Sequence, residues 1–164
     1  KKTYVPKYIF TLSKVTSSCV NMLFSLGAML IVLFVCRVPL NWYMLFIPVI
    51  ILQVYVFSTG IGLFLSQATV FFRDVQYIYA AFMTGWMYLT PIFYPINQLP
   101  DGLKWGITTF NPLYSYITQF RTVVLMQQLP ELGMILQGII IAMAVLVLGT
   151  VCFMKNQDRF ILYI

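Results

Sequence analysis

The acidic residues of this 164-residue chain are too few and too scattered for acid–base catalysis. There are four of them, at Asp74, Asp101, Glu131 and Asp158. A general acid and its partner base must reach the same reacting atoms, and nothing in this spacing brings two carboxylates together. The chain has no histidine, and its three cysteines include no CxxC pair, so the spacing of a metal site is also missing. We therefore expect no enzyme activity, no metal and no cofactor bound by this chain.

The sequence also lacks a nucleotide-hydrolysing loop. Such a loop, GxxxxGK[ST], cradles phosphates with its backbone and neutralises them with its lysine. The nearest approach is Gly102-Leu103-Lys104, which lacks the rest of the motif. Any ATP and magnesium that the system uses are therefore expected in a separate partner subunit.

Aromatic side chains are the residues whose chemistry could handle a large polar molecule. Sugar rings can pack on aromatic faces, and the tyrosine hydroxyl and tryptophan N–H offer hydrogen bonds. Tyr79, Phe82 and Trp86 recur at spacings of three and four, which places them on one helix face. The candidates for the lining of a passage are Tyr55, Tyr79, Phe82, Trp86, Phe93 and Tyr94. The alternative is that these rings face lipid or form an interfacial aromatic belt.

Composition and charge placement predict an all-α integral membrane protein. The chain is 61% hydrophobic and 9% charged, whereas about a quarter of the residues of a soluble domain are charged. Four uncharged stretches are long enough to supply the roughly 20 apolar residues that a transmembrane helix needs. They predict four transmembrane helices, at about 15–36, 43–66, 76–95 and 132–154.

The basic residues predict the orientation, because positive charge collects on the cytoplasmic side. Four spans place both ends of the chain on one side. That side would hold seven of the ten basic residues, which are Lys1, Lys2, Lys7, Lys14, Arg73, Lys155 and Arg159. We therefore expect both ends to be cytoplasmic. Since the predicted spans contain no charged residue, an ion-driven carrier is disfavoured, and a passive channel would need charged rings or a filter sequence.

The stretch 96–131, on the outer side, predicts two helices too short to span. The first would run from about Asp101, as its cap, to Thr109. The second would begin with Asn111 as N-cap and Pro112 at the first helical position, a favoured pairing. We expect a re-entrant helical hairpin, and a plain interfacial helix is the alternative. The residues assigned to this region are Pro91, Pro95, Trp105, Asn111 and Pro112.

Small and polar residues within the spans predict helix packing. Small residues at every fourth position let membrane helices approach closely. Two such ladders are Ser58, Gly62 and Ser66, and Gly138 with Ala142. Hydrogen bonds between helices are expected from the side chains of Asn21, Gln53 and Gln137.

Two juxtamembrane segments could contact a cytoplasmic partner. One is Lys1-Lys2-Thr3-Tyr4-Val5-Pro6-Lys7, and the other is Phe71-Phe72-Arg73-Asp74-Val75. Their charges equally suit simple anchoring at the membrane surface, and the residues alone leave both interpretations open.

These two segments, together with Thr90-Pro91-Ile92-Phe93-Tyr94-Pro95, Phe110-Asn111-Pro112-Leu113 and the ending at 157–164, resemble one family in order and spacing. The family is that of the permease subunits of type-2 ATP-binding-cassette exporters for polysaccharides and teichoic-acid-type polyol phosphates. The resemblance covers nearly the whole of 1–164, taken as a single transmembrane permease domain. It implies six spans in a complete permease, so this chain is expected to be a fragment carrying the C-terminal four.

The resemblance also implies partners and a mechanism. A working exporter would pair two permeases with two cytoplasmic ATPase subunits in the bacterial cytoplasmic membrane, and would move a lipid-linked polymer. Nucleic acid has no part in it. The residues implied in coupling to the ATPase are Lys1, Lys2, Tyr4, Pro6, Lys7, Phe72, Arg73 and Asp74. The rival hypotheses are a same-fold exporter of a drug or small lipid, and a membrane assembly factor without transport activity.

Overall fold

The computed structural model describes residues 8–37, 41–72, 74–92 and 94–156. Within these ranges the regular elements are helical and no strand occurs, as the sequence predicts. The helices are α1 (Tyr8–Val35), α2 (Ile47–Phe71), α3 (Val75–Leu89), α4 (Asp101–Phe110), α5 (Pro112–Val124) and α6 (Leu132–Asn156). Short 3₁₀ turns, Trp42–Phe46 and Ile96–Gln98, precede α2 and α4.

In the described part of the chain, three helices are long and apolar enough to cross a membrane. They are Tyr8–Val35, Trp42–Phe71 and Leu132–Lys155. They correspond to the first, second and fourth predicted spans. The first helix begins seven residues before the predicted start at 15, and α2 continues five residues past the predicted end at 66. No proline or glycine interrupts either extension, so the helical hydrogen bonds continue.

Helix α3 is shorter than the third predicted span, 76–95. It ends at Leu89 after 15 residues, a length of about 22 Å. Thr90 has an extended backbone, with φ −81° and ψ 125°. The cause is Pro91, which cannot donate a helical hydrogen bond and disfavours the helical conformation in the residue before it. The helix lengths therefore do not confirm a count of four spans.

Helices α2 and α6 make the most extensive contact, and two glycines lie where they cross. A Cβ atom added at Gly60 would lie 2.6 Å from the backbone nitrogen of Leu146, and one added at Gly149 would meet the backbone of Gly60. The predicted ladder partner Ala142 is also buried in the core. By contrast Gly62, from the other predicted ladder, faces α1, because its added Cβ would lie 3.1 Å from Val15 Cγ2.

The hydrophobic core joins α2, α5 and α6. Its buried members are Ile50, Phe57, Tyr116, Val123, Val124 and Ala142. The rings of Phe57 and Tyr116 meet edge to face with centroids 5.9 Å apart. Helix α5 is therefore embedded between two long helices, whereas α1 lies along α2 and contributes no buried residue.

Candidate functional site

Helices α4 and α5 are the two short helices predicted for 96–131, and we call this pair the hairpin. They contain 10 and 13 residues, lengths of about 15 and 20 Å. The predicted start of α5 is confirmed, since Pro112 is its first residue and the Asn111 side chain accepts a hydrogen bond from the Leu113 N–H at 3.1 Å. The predicted cap of α4 is wrong by one residue. Asp101 is the first helical residue and Pro100 occupies the N-cap position, with no side-chain cap.

Asn111 also ties the hairpin to the end of α3. Its Oδ1 accepts a hydrogen bond from Trp86 Nε1 at 3.0 Å, and its Nδ2 donates to Thr90 Oγ1 at 2.9 Å. The Thr90 hydroxyl donates in turn to the Trp86 carbonyl at 2.9 Å. Asn111 and Thr90 are both buried, at 6% and 1% exposure. One amide therefore caps α5 and fixes the last turn of α3 at the same time.

Arg121, in the last turn of α5, holds the segment that follows α3. Its Nη1 donates to the Pro91 carbonyl at 3.2 Å, and its Nη2 donates to the Ile92 carbonyl at 2.6 Å. Hydrogen bonds from an ionised donor are stronger than neutral ones. Pro91 and Ile92 follow the end of α3, so their carbonyls have no partner within a helix. The Arg121 guanidinium supplies the hydrogen bonds that these two carbonyls need.

Two more side chains in this region donate hydrogen bonds to backbone carbonyls at the C-terminal ends of helices. Gln137 of α6 donates its Nε2 to the carbonyls of Thr108 and Thr109, at 3.2 and 2.7 Å, in the last turn of α4. The Tyr94 hydroxyl lies 3.0 Å from the carbonyl oxygens of both Tyr88 and Leu89, at the end of α3. The last carbonyls of a helix have no partner within it, so both contacts satisfy groups that would be costly to leave bare in lipid.

A buried amide pair links α5 to α2. Gln119 Nε2 donates to Gln53 Oε1 at 3.3 Å, and lies within 3.2 Å of Ser115 Oγ and of the Met134 carbonyl in α6. Gln119 is fully buried and Gln53 is 4% exposed. Gly138 makes room for the pair, because a Cβ there would lie 2.5 Å from Gln53 Oε1. Beside the pair, the Tyr116 hydroxyl donates to the Gly138 carbonyl at 3.0 Å.

Of the three polar residues expected to bond between helices, two do so. Gln53 contacts α5, and Gln137 contacts α4. Asn21 contacts its own helix instead, where its backbone carbonyl accepts a hydrogen bond from the Ser25 hydroxyl at 3.1 Å. Sequence reasoning missed Gln119 and Arg121 as anchors of the hairpin. The signal that could have found them is the presence of an amide and a cation on an otherwise apolar stretch, where polar groups need partners.

The six aromatic candidates do not form one stripe. Tyr55 and Tyr79 line a cleft between α1, α2 and α3, and Tyr55 lies 3.0 Å from the Thr16 hydroxyl. Phe82 and Trp86 pack edge to face at 5.0 Å and line a groove of about 520 Å³ between α3 and α4. Tyr94 caps α3, and Phe93 lies outside the described residues.

The residues assigned to the re-entrant region differ in how far they are buried. Pro91 and Pro112 are buried, and Pro95 is exposed. Trp105 is 64% exposed and packs edge to face with Phe110 at 5.6 Å. Pro91 follows the end of α3 and Pro112 begins α5, so with Asn111 they lie where the hairpin meets α3, while Trp105 lies on an exposed side of α4.

Of the residues assigned to coupling, two can be described, and both are exposed. Phe72, directly after α2, is 71% exposed. Asp74 precedes α3, and its side chain does not cap that helix. The Val75 N–H donates to the Phe72 carbonyl at 3.1 Å, so Phe72 and Asp74 lie close together between α2 and α3. The other assigned residues, Lys1, Lys2, Tyr4, Pro6, Lys7 and Arg73, lie outside the described residues.

Comparison with known proteins gives the family. The sequence model described as "ABC-2 type transporter" matches residues 1–125. The chain belongs to the ABC-2 type transporter family. Members of this family are membrane transporter subunits, so the helices that the sequence predicts and the structure contains are those of an ABC-2 permease.

Two curated relatives of this ABC-2 permease are O-antigen export system permease proteins named RfbA. The one from Myxococcus xanthus is 23% identical over 160 residues, covering 97% of this chain and 62% of the relative. One from Klebsiella pneumoniae is 32% identical over 123 residues, covering 74% of this chain and 47% of the relative. The chain thus spans about half to three fifths of the length of these relatives.

Proposed function

We propose that this ABC-2 permease forms the membrane passage of an ATP-driven exporter of polysaccharide or polyol-phosphate polymer, carried on a lipid. The observation that carries the proposal is the likeness to two O-antigen export permeases, which includes nearly the whole chain in one case. The proposal agrees with the apolar character of the long helices. Spans without charge suit a passage whose energy comes from another subunit rather than from an ion moving through them.

The wall of the passage is the exposed face of α3. Tyr77 and Tyr88 are 70% and 69% exposed, and their separation of eleven residues places them on one face of the helix. In a homodimer, the same face of a second copy would stand opposite and enclose a passage lined by aromatic rings. Such rings hold sugar faces without binding them tightly, which suits a polymer that must keep moving.

We also propose that α3 and the segment after it make a fourth crossing, with both ends of this chain in the cytoplasm. Helix α3 is shorter than the hydrocarbon core of about 30 Å. The hairpin would complete the distance by re-entering from the outer side. Arg121 satisfies the Pro91 carbonyl in the segment after α3, and Gln137 satisfies the Thr109 carbonyl in α4. Irregular backbone at membrane depth is tolerated when it is buried in protein in this way.

The ATPase subunit would bind the cytoplasmic edge that carries Phe72 and Asp74. An exposed ring beside a carboxylate is a suitable contact for a partner, because the ring supplies buried area and the charge supplies orientation. Lys1, Lys2, Tyr4, Pro6, Lys7 and Arg73 would lie at the same surface in this orientation. ATP and magnesium would be held by the partner.

Charge reversal at this edge should weaken the complex. In the full-length permease, we expect Arg73→Glu, and Lys2→Glu at the other cytoplasmic segment, each to lower the affinity for the ATPase by about tenfold, which corresponds to about 1.4 kcal/mol. The physical reason is that a like charge replaces a complementary one at an interface. The measurement is co-purification of the ATPase together with transport-stimulated ATP hydrolysis.

The matched control is Lys104→Glu, which makes the same change on α4, on the outer side in the proposed orientation. It should leave ATPase binding unchanged. Normal binding and normal stimulated hydrolysis in both Arg73→Glu and Lys2→Glu would contradict the proposed docking surface.

A further inference from the structure

A cleft of about 360 Å³ opens between α1, α2 and α3, away from the groove beside α4. Its lining combines polar and apolar side chains. The polar members are Lys14 and Ser18 of α1, Tyr55 and Ser58 of α2, and Tyr79 of α3. Three helices thus direct an ammonium and four hydroxyl groups toward one space.

Most of these polar groups have no protein partner. Tyr55 shares a hydrogen bond with Thr16. The side chains of Lys14, Ser18, Ser58 and Tyr79 make no hydrogen bond or ion pair to any described residue. Hydroxyls elsewhere in these helices, such as that of Thr59, donate to the carbonyl four residues earlier. Lys14 and Ser18 are exposed, and Ser58 and Tyr79 are half-buried, so all four groups are available to donate hydrogen bonds to a ligand in the cleft.

The cleft continues into an apolar groove. Met22 and Val54 belong to both the cleft and a second space of about 610 Å³ between α1, α2 and α5. That second space is lined by aliphatic residues such as Leu26, Leu33 and Ile50. The two spaces together are polar at one end and apolar along the rest, which matches the shape of an amphiphile with a charged head and a hydrocarbon tail.

The polar lining is nearest to the proposed cytoplasmic face at Lys14 and Tyr79, whereas Ser58 is 13 residues, about 20 Å, from the end of α2. Lys14 is six residues, about 9 Å, from the start of α1, and Tyr79 is four residues, about 6 Å, from the start of α3. A flexible lysine at that depth can raise its ammonium to the headgroup level. Basic pockets between transmembrane helices on the cytoplasmic side are a known way of binding acidic lipid headgroups.

We propose that this cleft binds the phosphate of an anionic phospholipid from the inner leaflet, with an acyl chain in the adjoining apolar groove. The phosphate oxygens accept hydrogen bonds from the Lys14 ammonium and from the hydroxyls of Ser18, Ser58 and Tyr79. An apolar protein helix in the same place would leave all four groups unsatisfied. Tyr55 and Tyr79 then hold a resident lipid and do not line the polymer passage. The inference uses the proposed orientation but is independent of the exported substrate.

The test uses the full-length permease in phosphatidylcholine nanodiscs with phosphatidylglycerol as the added probe, followed by native mass spectrometry. We expect Lys14→Gln to lower the apparent affinity for phosphatidylglycerol about fivefold, the effect of one basic side chain near an anionic surface. Lys14→Arg should retain binding because it keeps the charge. Lys104→Gln is the matched control, since Lys104 does not line the cleft, and it should bind as the unaltered protein does. Equal affinity in Lys14→Gln and Lys104→Gln would overturn the proposal.

Cys19 supplies a native reporter of occupancy, because it lines the cleft and forms no disulfide. In a full-length chain whose other cysteines are replaced by alanine, a membrane-permeant maleimide should label Cys19, and phosphatidylglycerol should slow that labelling. Protection by inorganic phosphate alone would overturn the lipid as the source of the phosphate. Absence of labelling in pure phosphatidylcholine would show that protein fills the cleft, and would also overturn the proposal. None of these outcomes depends on whether a polysaccharide is exported.

Discussion

Replacement of Gly60 by alanine is expected to prevent the normal packing of α2 against α6. The new methyl group would lie 2.6 Å from both the Leu146 nitrogen and the Val145 carbonyl carbon. These are backbone atoms, so no side-chain rotation can relieve the overlap and the two helices must separate. Overpacking in a close-packed interior costs typically 1–3 kcal/mol, and a backbone clash lies at the upper end, about 3 kcal/mol. The measurement is the thermal unfolding midpoint of the detergent-solubilised full-length permease.

Gly27→Ala is the matched control for this prediction. An added Cβ at Gly27 meets no atom within 4 Å, and the residue lies inside α1. Alanine has a better helix propensity than glycine, so this change should leave stability unchanged or raise it by up to about 1 kcal/mol. Gly149→Ala should behave like Gly60→Ala, since its added Cβ would meet the backbone of Gly60. If Gly60→Ala were as stable as Gly27→Ala, the described crossing of α2 and α6 would be wrong.

Replacement of Gln119 by leucine should detach the hairpin from the long helices. The substitution keeps the approximate volume but leaves Gln53 Oε1 without its donor in a buried site. An unsatisfied buried polar group costs about 1–3 kcal/mol. Because Asn111 caps α5 and Arg121 lies in its last turn, displacement of α5 would also loosen the contacts at the end of α3. We therefore expect a lower unfolding midpoint together with impaired transport.

A double-mutant cycle with Gln53→Leu isolates the amide pair from other effects. We expect the double mutant to be more stable than the sum of the single effects predicts, by about 0.6 to 1.7 kcal/mol, which are the average and the largest coupling found for such bonds between membrane helices. Gln128→Leu, which changes an exposed glutamine beyond α5, is the control and should be nearly neutral. Strict additivity of Gln53→Leu and Gln119→Leu would show that the two amides do not interact.

Local features of the fold could be predicted from the sequence because their causes are local. Asn111 and Pro112 specify the start of α5 through a cap and a fixed φ, which involve only adjacent residues. The membrane helices follow from the length of apolar stretches. The predicted end of α3 at 95 is wrong even though its cause, Pro91, is also local. The stretch without charged residues continues past Pro91, whereas the helix ends before it.

The contacts that position the hairpin could not be predicted, because they depend on long-range packing. Gln53 and Gln119 are 66 positions apart, and nothing in either local sequence specifies the other. The small-residue pattern indicated close helix contacts but not their partners. Gly62 contacts α1, and the crossing of α2 with α6 uses Gly60, which lies on another face of the same helix. Tyr79, Phe82 and Trp86 share a face by spacing, yet Tyr79 lines the cleft with α1 and α2, and Phe82 and Trp86 line the groove with α4.

The central claim is that this permease supplies a passage for a polymer and that a separate ATPase supplies the energy. The most direct measurement is transfer of a lipid-linked polysaccharide across proteoliposomes that contain the full-length permease, with and without the ATPase. We predict transfer only when permease, ATPase and ATP are all present, and no ATP hydrolysis by the permease alone. Transfer by the permease without the ATPase, or movement of lipid but never of polymer in the complete system, would contradict this account.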